Sequence, residues 1–260
     1  MAQGSCGEPA GATGLRPYES ASARLRAVYQ LPVAVDGAAV LELHLRDHGR
    51  VVDGEWRARQ VVSCRLVGGG CGSPIANPLT SRMQTCQASY NEPLPFAAAS
   101  FNLVILHHTL DDLATAFPQR RPRQVAAEWL GRIAPILAPG GVVAGCGRNG
   151  SIPHCWSWWR GGTTSGFSEV AALGVHSCQS VLLGAGFRDV QVSNLWPDPQ
   201  APSSIAAVET EASRRAFRYA LESSRASLSR SGYLVRRVVV ELTLNRFLEQ
   251  HLFYWGYRRC

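Results

Sequence analysis

A chain of 260 residues, 46% of them hydrophobic and 17% charged, is long enough and apolar enough for one large α/β domain or two small ones. That composition excludes collagen-like, mucin-like and wholly disordered chains, and the absence of any run of 18 apolar residues excludes an ordinary membrane-spanning helix. The net charge of +7 is unevenly spread: residues 1–213 carry 16 Arg against 16 Asp plus Glu, whereas residues 214–260 carry 10 Arg against 3 Glu. The opening stretch MAQGSCGEPAGATGLRPYES has neither an early basic cluster nor an apolar core, so the expected compartment is the cytoplasm. Eight cysteines form no C-x-x-C pair and no ligand spacing with histidine, so reduced structural thiols are expected and no metal site.

Residues 1–20, rich in Gly, Ala, Ser and Pro without periodicity, are expected to be a flexible lead-in, followed by a helix over 20–30. AAVLELHL (38–45) and RQVVSCRLV (59–67) have strand length, and a glycine-rich stretch, GGGCGSP, follows the second. Residues 68–93 read mostly as loop with one short helix and one strand. SFNLVILHH (100–108) is a nearly continuous apolar strand of the kind buried on both faces, and PRQVAAEWLGRIAPIL (122–137) has helical spacing. The PGG at 139–141 is expected to stop that helix and launch a second buried strand, GVVAGCG (141–147). A tryptophan-rich loop leads to EVAALGVHSCQSVLLGAGF, a helix closed by glycines, and then to the strand DVQVSNLW (189–196). Strand alternating with helix specifies a doubly wound, mostly parallel sheet, with 100–108 and 141–147 as central neighbours. After 210 the chain is too rich in apolar and aromatic residues for a disordered basic tail. It is expected to fold against the domain with arginines outward. The organisation read from these segments is an N-terminal segment 1–20, a domain 21–210 and a basic, helical C-terminal extension 211–260.

Three of these words in this order, LPFAAASFNLVILHHTL (94–110), ILAPGGVVAG (136–145) and LLGAGFRDVQV (182–192), resemble the second half of class I S-adenosylmethionine-dependent methyltransferases of the type 11 kind. The resemblance covers about 100 residues and implies an α/β fold with a seven-stranded sheet, S-adenosylmethionine as cofactor, and a ligand crevice over the strand ends. Asn102 replaces the usual Asp of SFD. In the cofactor half the pattern weakens. If VVSCRLV is the second strand, AVLELHL (39–45) is the first and Glu42 takes its usual acidic position. The three glycine positions then fall on His44, Arg46 and His48, and the ribose carboxylate falls on Arg65. The alternative register makes GGGCG (68–72) the glycine loop, but leaves only 21 residues before Leu94 for a helix, a strand, a helix and a strand. The first register is preferred. Both lack an acidic residue for the ribose, so cofactor binding is expected to be weak or absent.

By the same resemblance, the loop before LPF supplies the adenine edge, which makes Ser89, Tyr90, Asn91 and Glu92 candidates. His107 and His108 end the strand 100–108, where open α/β sheets hold ligands, and a histidine there is a candidate general base at neutral pH. The alternative for His107 is a buried, hydrogen-bonded side chain under the sheet rim. Asp111 and Asp112 open the next helix, where carboxylates complement its N-terminal dipole. HCWSWWRGG (154–162) is a candidate substrate lid or membrane-facing patch, or else a cover over the sheet edge. Two functions follow: a methyltransferase acting on a small-molecule, sugar or lipid-linked substrate, or a non-catalytic protein of that fold acting as a scaffold or partner subunit. The basic segment 214–260 suits an anionic membrane surface or an acidic partner, which would make the protein peripheral at a membrane. Nucleic acid is not expected, since no base-stacking motif or zinc knuckle accompanies the arginines.

Overall fold

The computed structural model describes residues 36–46, 58–68, 83–150, 172–196, 204–207, 230–241 and 251–259, with single positions at 215, 218 and 222. The expected helix over 20–30, His48 and the tryptophan-rich loop 154–162 lie outside the described residues.

The apolar runs become strands as their composition requires. They are β1 (Ala39–His44), β2 (Gln60–Val67), β3 (Met83–Ser89), β4 (Phe101–His107), β5 (Leu137–Arg148), β6 (Phe187–Trp196), β7 (Ser204–Ala207) and β8 (His251–Arg258). Among the described residues run the helices α1 (Thr109–Ala116), α2 (Pro122–Ile133), α3 (Val175–Gly184) and α4 (Arg230–Glu241). The sheet order is β3-β2-β1-β4-β5-β8-β6-β7. Strands β1 to β5 are parallel, β8 is antiparallel to β5 and β6, and the four-residue β7 adds an edge to the seven-stranded core. This is the doubly wound, mostly parallel sheet expected, with β4 and β5 as parallel neighbours near its centre.

Side-chain alternation divides the sheet into two faces. Leu41, Leu43, Val104, Leu106 and Val143 face α1, α2 and α3, whose Leu113, Trp129, Ile133 and Leu182 are completely or almost completely buried. The opposite face carries Val40, Val61, Leu103, Ile105, Val142, Ala144 and Phe253. β4 is apolar on both sides because it is buried on both sides.

Three local expectations change. α2 stops at Ile133, before PGG, because Pro135 has no N–H to continue the ladder, and one turn of 3-10 helix leads straight into β5 at Leu137. PGG lies within β5: Phe101 pairs with Leu137 but Leu103 with Val142, so the extra residues bulge there, helped by Gly140 at φ 73°. α3 begins only at Val175, after Gly174 in extended conformation. The segment expected as a helical extension does contain α4, yet it returns to the sheet as β8, between β5 and β6. A boundary at 211 therefore cuts through one folded unit. Arg215, Arg218, Arg230 and Arg237 are exposed, as expected for this segment. Among the described residues, no helix is long and apolar enough to cross a membrane.

Candidate functional site

The strand order reverses between β1 and β4, and the crevice outside the carboxyl ends of those strands is where such sheets hold ligands. β1 is the first strand of the parallel set and β2 its neighbour, so the topology agrees with the preferred register, and GGGCG follows the second strand rather than the first.

On the face opposite α1, α2 and α3, alternation brings polar groups into one row along the strand ends. β2 contributes Ser63 and Arg65, β1 Glu42 and His44, β4 His107, β5 Cys146, and β8 His251 at its start. Glu42 is 2% exposed, paired in register with Ser63 on one side and Ile105 on the other. The His44 ring lies 3.1 Å from the Ser63 hydroxyl through Nε2, and Arg65 is exposed.

Two links cross the reversal point. The Thr109 hydroxyl donates to the Leu43 carbonyl at the end of β1, and the Arg46 guanidinium lies 3.4 Å from the Asp112 carboxylate. Arg46, at a position where the resemblance implies glycine, is thus tied to the first turn of α1.

His107 is buried and pairs in register with Cys146, its Nδ1 lying 3.2 Å from Cys146 Sγ. The next residue leaves the strand abruptly: His108 has φ 55° and ψ 8°, a left-handed conformation that costs about 1–3 kcal/mol for a non-glycine residue. That turn swings the His108 ring edge-on to both His107, with centroids 5.0 Å apart, and His251, 5.7 Å apart. His108 Nδ1 lies 3.4 Å from an Asp111 carboxylate oxygen that also accepts from the Arg148 backbone N–H at 2.6 Å. Asp111 and Asp112, 6% and 9% exposed, therefore do more than complement the helix dipole.

The expected adenine-edge loop is built differently. Ser89 is buried and its hydroxyl accepts from the Asn91 N–H at 3.2 Å, while the Asn91 side chain donates to the Gly68 carbonyl at 3.4 Å. Tyr90 packs edge-on against Phe117, 5.3 Å between centroids. Arg132 of α2 holds the loop by donating to the carbonyls of Tyr90 (3.0 Å) and Glu92 (3.3 Å) while its side chain pairs with Glu128. Asn91 and Glu92 are exposed, so of the four only Tyr90 presents a partly buried ring. Asn102 sits at the far end of β4, where its Oδ1 accepts from the Ala39 N–H at 3.0 Å and ties β4 to β1. Its role there is structural.

The described cysteines are free thiols. Cys64 and Cys86 are register partners on β2 and β3. Their mutual hydrogen bond, with burial adding to it, pushes the Cys64 thiol well up, and the same bond lowers Cys86. Burial likewise raises Cys178 and Tyr254. Cys146, His251 and Arg132 were not legible as site residues, because their partners lie 39 or more positions away in sequence, with the exception of Glu128.

No protein-family model matches this chain, and no curated protein does. Among solved structures, the chain is similar to phosphoethanolamine N-methyltransferase 2 of Haemonchus contortus in complex with phosphomonomethylethanolamine and S-adenosylhomocysteine, at TM-score 0.50 and 13% identity. A selenomethionine form of that enzyme, in complex with S-adenosyl-L-methionine, matches at TM-score 0.50 and 14% identity. Each match covers 94% of this chain and 53% of the other, so the chain spans about half the length of these neighbours. The fold is that of class I methyltransferases.

Proposed function

We propose that this chain is a methyltransferase of the class I, type 11-like kind with a reworked cofactor half, acting on a small-molecule, sugar or lipid-linked acceptor. The observation that carries the reading is the row of polar groups at the carboxyl ends of β2, β1, β4, β5 and β8, astride the point where strand order reverses. The neighbours' bound S-adenosylmethionine and S-adenosylhomocysteine support that nucleoside as the cofactor. S-adenosylmethionine supplies an electrophilic methyl group when bound.

The residues present fit its ribose poorly. β2 offers Arg65 in place of a carboxylate, and the Arg46 to Asp112 pair and the Thr109 to Leu43 bond span the crevice. Those two links favour a second reading, a scaffold or partner subunit of this fold that no longer methylates anything.

Calorimetric titration separates the two. The full chain is expected to bind S-adenosylmethionine more weakly than low micromolar, short of roughly 8 kcal/mol. Arg46→Gly, which restores the residue the resemblance implies there and breaks the link to Asp112, is expected to tighten binding by about tenfold, roughly 1.4 kcal/mol. Tyr90→Ala is expected to weaken it. Heat absent from both the unaltered chain and Arg46→Gly favours the scaffold.

An anionic membrane surface is proposed for the basic segment. Support comes from α4, where Leu234 and Val238 are 52% and 55% exposed beside the exposed Arg230 and Arg237. Co-sedimentation with anionic but not neutral liposomes, lost at high salt, is the expected result. Equal sedimentation with both would remove the electrostatic component.

A further inference from the structure

The side chains of His107, His108 and Cys146 each present a ligand atom, and these atoms all lie within 4.8 Å of one another. We propose that they form a binding site for a zinc-type divalent cation, one that linear spacing conceals because Cys146 is brought to His107 by the register of β4 and β5. Zinc bonds of about 2.1 Å to nitrogen and 2.3 Å to sulfur put tetrahedral ligand atoms roughly 3.5 Å apart. The His107 to Cys146 separation of 3.2 Å is already close to that. Contraction of the widest separation by at most about 1.3 Å brings the whole set into range.

The surroundings are those of ligands rather than of three chance neighbours. With Nδ1 of His108 donating to Asp111, Nε2 carries the lone pair that a cation takes. Asp111 is in turn fixed by the Arg148 N–H, so a carboxylate orients the ring from behind, one of the recurring partners of metal-bound histidines. The left-handed backbone of His108 is the strained element that turns the ring toward the cluster. Two imidazoles and one thiolate suit a borderline-soft cation, and three protein ligands leave a fourth position open, the pattern of catalytic rather than structural zinc. That position would take the thiol or hydroxyl of an acceptor in deprotonated form, its proton passing to solvent. Only this last use rests on the methyltransferase reading; binding of the cation does not.

The full chain titrated with Co(II), in the absence of S-adenosylmethionine, is expected to take up one ion. Visible bands of a tetrahedral site and a thiolate-to-cobalt charge-transfer band should accompany it, and Zn(II) should bleach both. Cys146→Ser should abolish the charge-transfer band. Asp111→Asn, a positioning change, should weaken affinity about 10–100-fold without abolishing the band. Since Cys146 is buried and its variant can fail to fold, alkylation of the unaltered chain read by peptide mass spectrometry gives a second measure. Metal should slow modification of Cys146 and leave the partly exposed Cys86 unchanged. A charge-transfer band that survives in a folded Cys146→Ser protein overturns the proposal. So does a Cys146 that alkylates at the same rate with and without metal, which would leave His107 and Cys146 as a simple thiol and imidazole pair.

Discussion

A chain ending at Gln250 is expected to lose its cooperative unfolding transition altogether. The last strand, β8, lies between β5 and β6 and is hydrogen-bonded to both, from Val142 opposite Tyr257 to Arg148 opposite His251 on one side and from Phe187 opposite Arg258 to Leu195 opposite His251 on the other. Leu252, Phe253 and Tyr254 are 2%, 4% and 3% exposed. Burying three side chains of that size is worth roughly 5–9 kcal/mol, comparable with the whole net stability of an ordinary domain. Their loss would also strand β6 and β7 and bare the edge of β5, an unpaired template for aggregation. The shortened chain should be insoluble, or else soluble without near-ultraviolet circular dichroism and without a sigmoidal urea transition. A transition with unchanged slope in the shortened chain would mean that β8 is dispensable and that residues 251–258 are an appendage after all.

That strand shows where the sequence was least readable. HLFYWGYRR is an apolar and aromatic run of strand length, but it lies in the segment that carries the excess of arginine. Nothing local says that a terminal segment inserts antiparallel between β5 and β6, which is a matter of topology. β4 and β5, by contrast, announce themselves because burial on both faces makes Leu103 to Leu106 and Val142 to Cys146 apolar at every position, and their pairing is legible for that reason. β1 and β2 were placed correctly by length and spacing. PGG reads as a stop because Pro and Gly punctuate in general, whereas here Pro135 ends the helix and the glycines form a bulge. In the site, His107 and His108 were visible because they terminate an apolar strand. Cys146 and His251 were not, since the pairing of β4 with β5 and of β5 with β8 decides what lies beside His107. Asn102 departs from the pattern the resemblance implies, and its bond to the Ala39 N–H places it at the opposite end of the sheet from the crevice.

Gly145→Ala is expected to destabilise the chain by about 3 kcal/mol, at the upper end of the usual cost of overpacking, which for a chain of this size is a fall in Tm of roughly 6–12 °C. A Cβ at this position would lie 2.5 Å from the Tyr254 hydroxyl oxygen and 2.6 Å from the Leu106 carbonyl oxygen. The first is the end of a side chain, yet Tyr254 is buried in the core under α3. The second is backbone of the paired strand and can yield only if β4 and β5 separate. Tyr254→Phe in the same chain removes the hydroxyl but leaves the ring carbon Cζ, 2.6 Å from the added carbon, beside the Leu106 carbonyl, so the double variant should recover little of the loss, with a coupling energy below about 0.5 kcal/mol. Gly131→Ala provides the contrast. It sits in the exposed interior of α2 with nothing within 4 Å of the added carbon, and should stabilise by about 0.5–1 kcal/mol through helix propensity and unfolded-state entropy. Chemical denaturation of the four variants measures all of these. Because Gly145 directly precedes Cys146, any separation of β5 from β4 also pulls the thiol away from His107. The cobalt affinity of Gly145→Ala should therefore fall while that of Gly131→Ala stays at the level of the unaltered chain. Equal stability of Gly145→Ala and Gly131→Ala would show that β5 does not pack against Leu106 and Tyr254 as described.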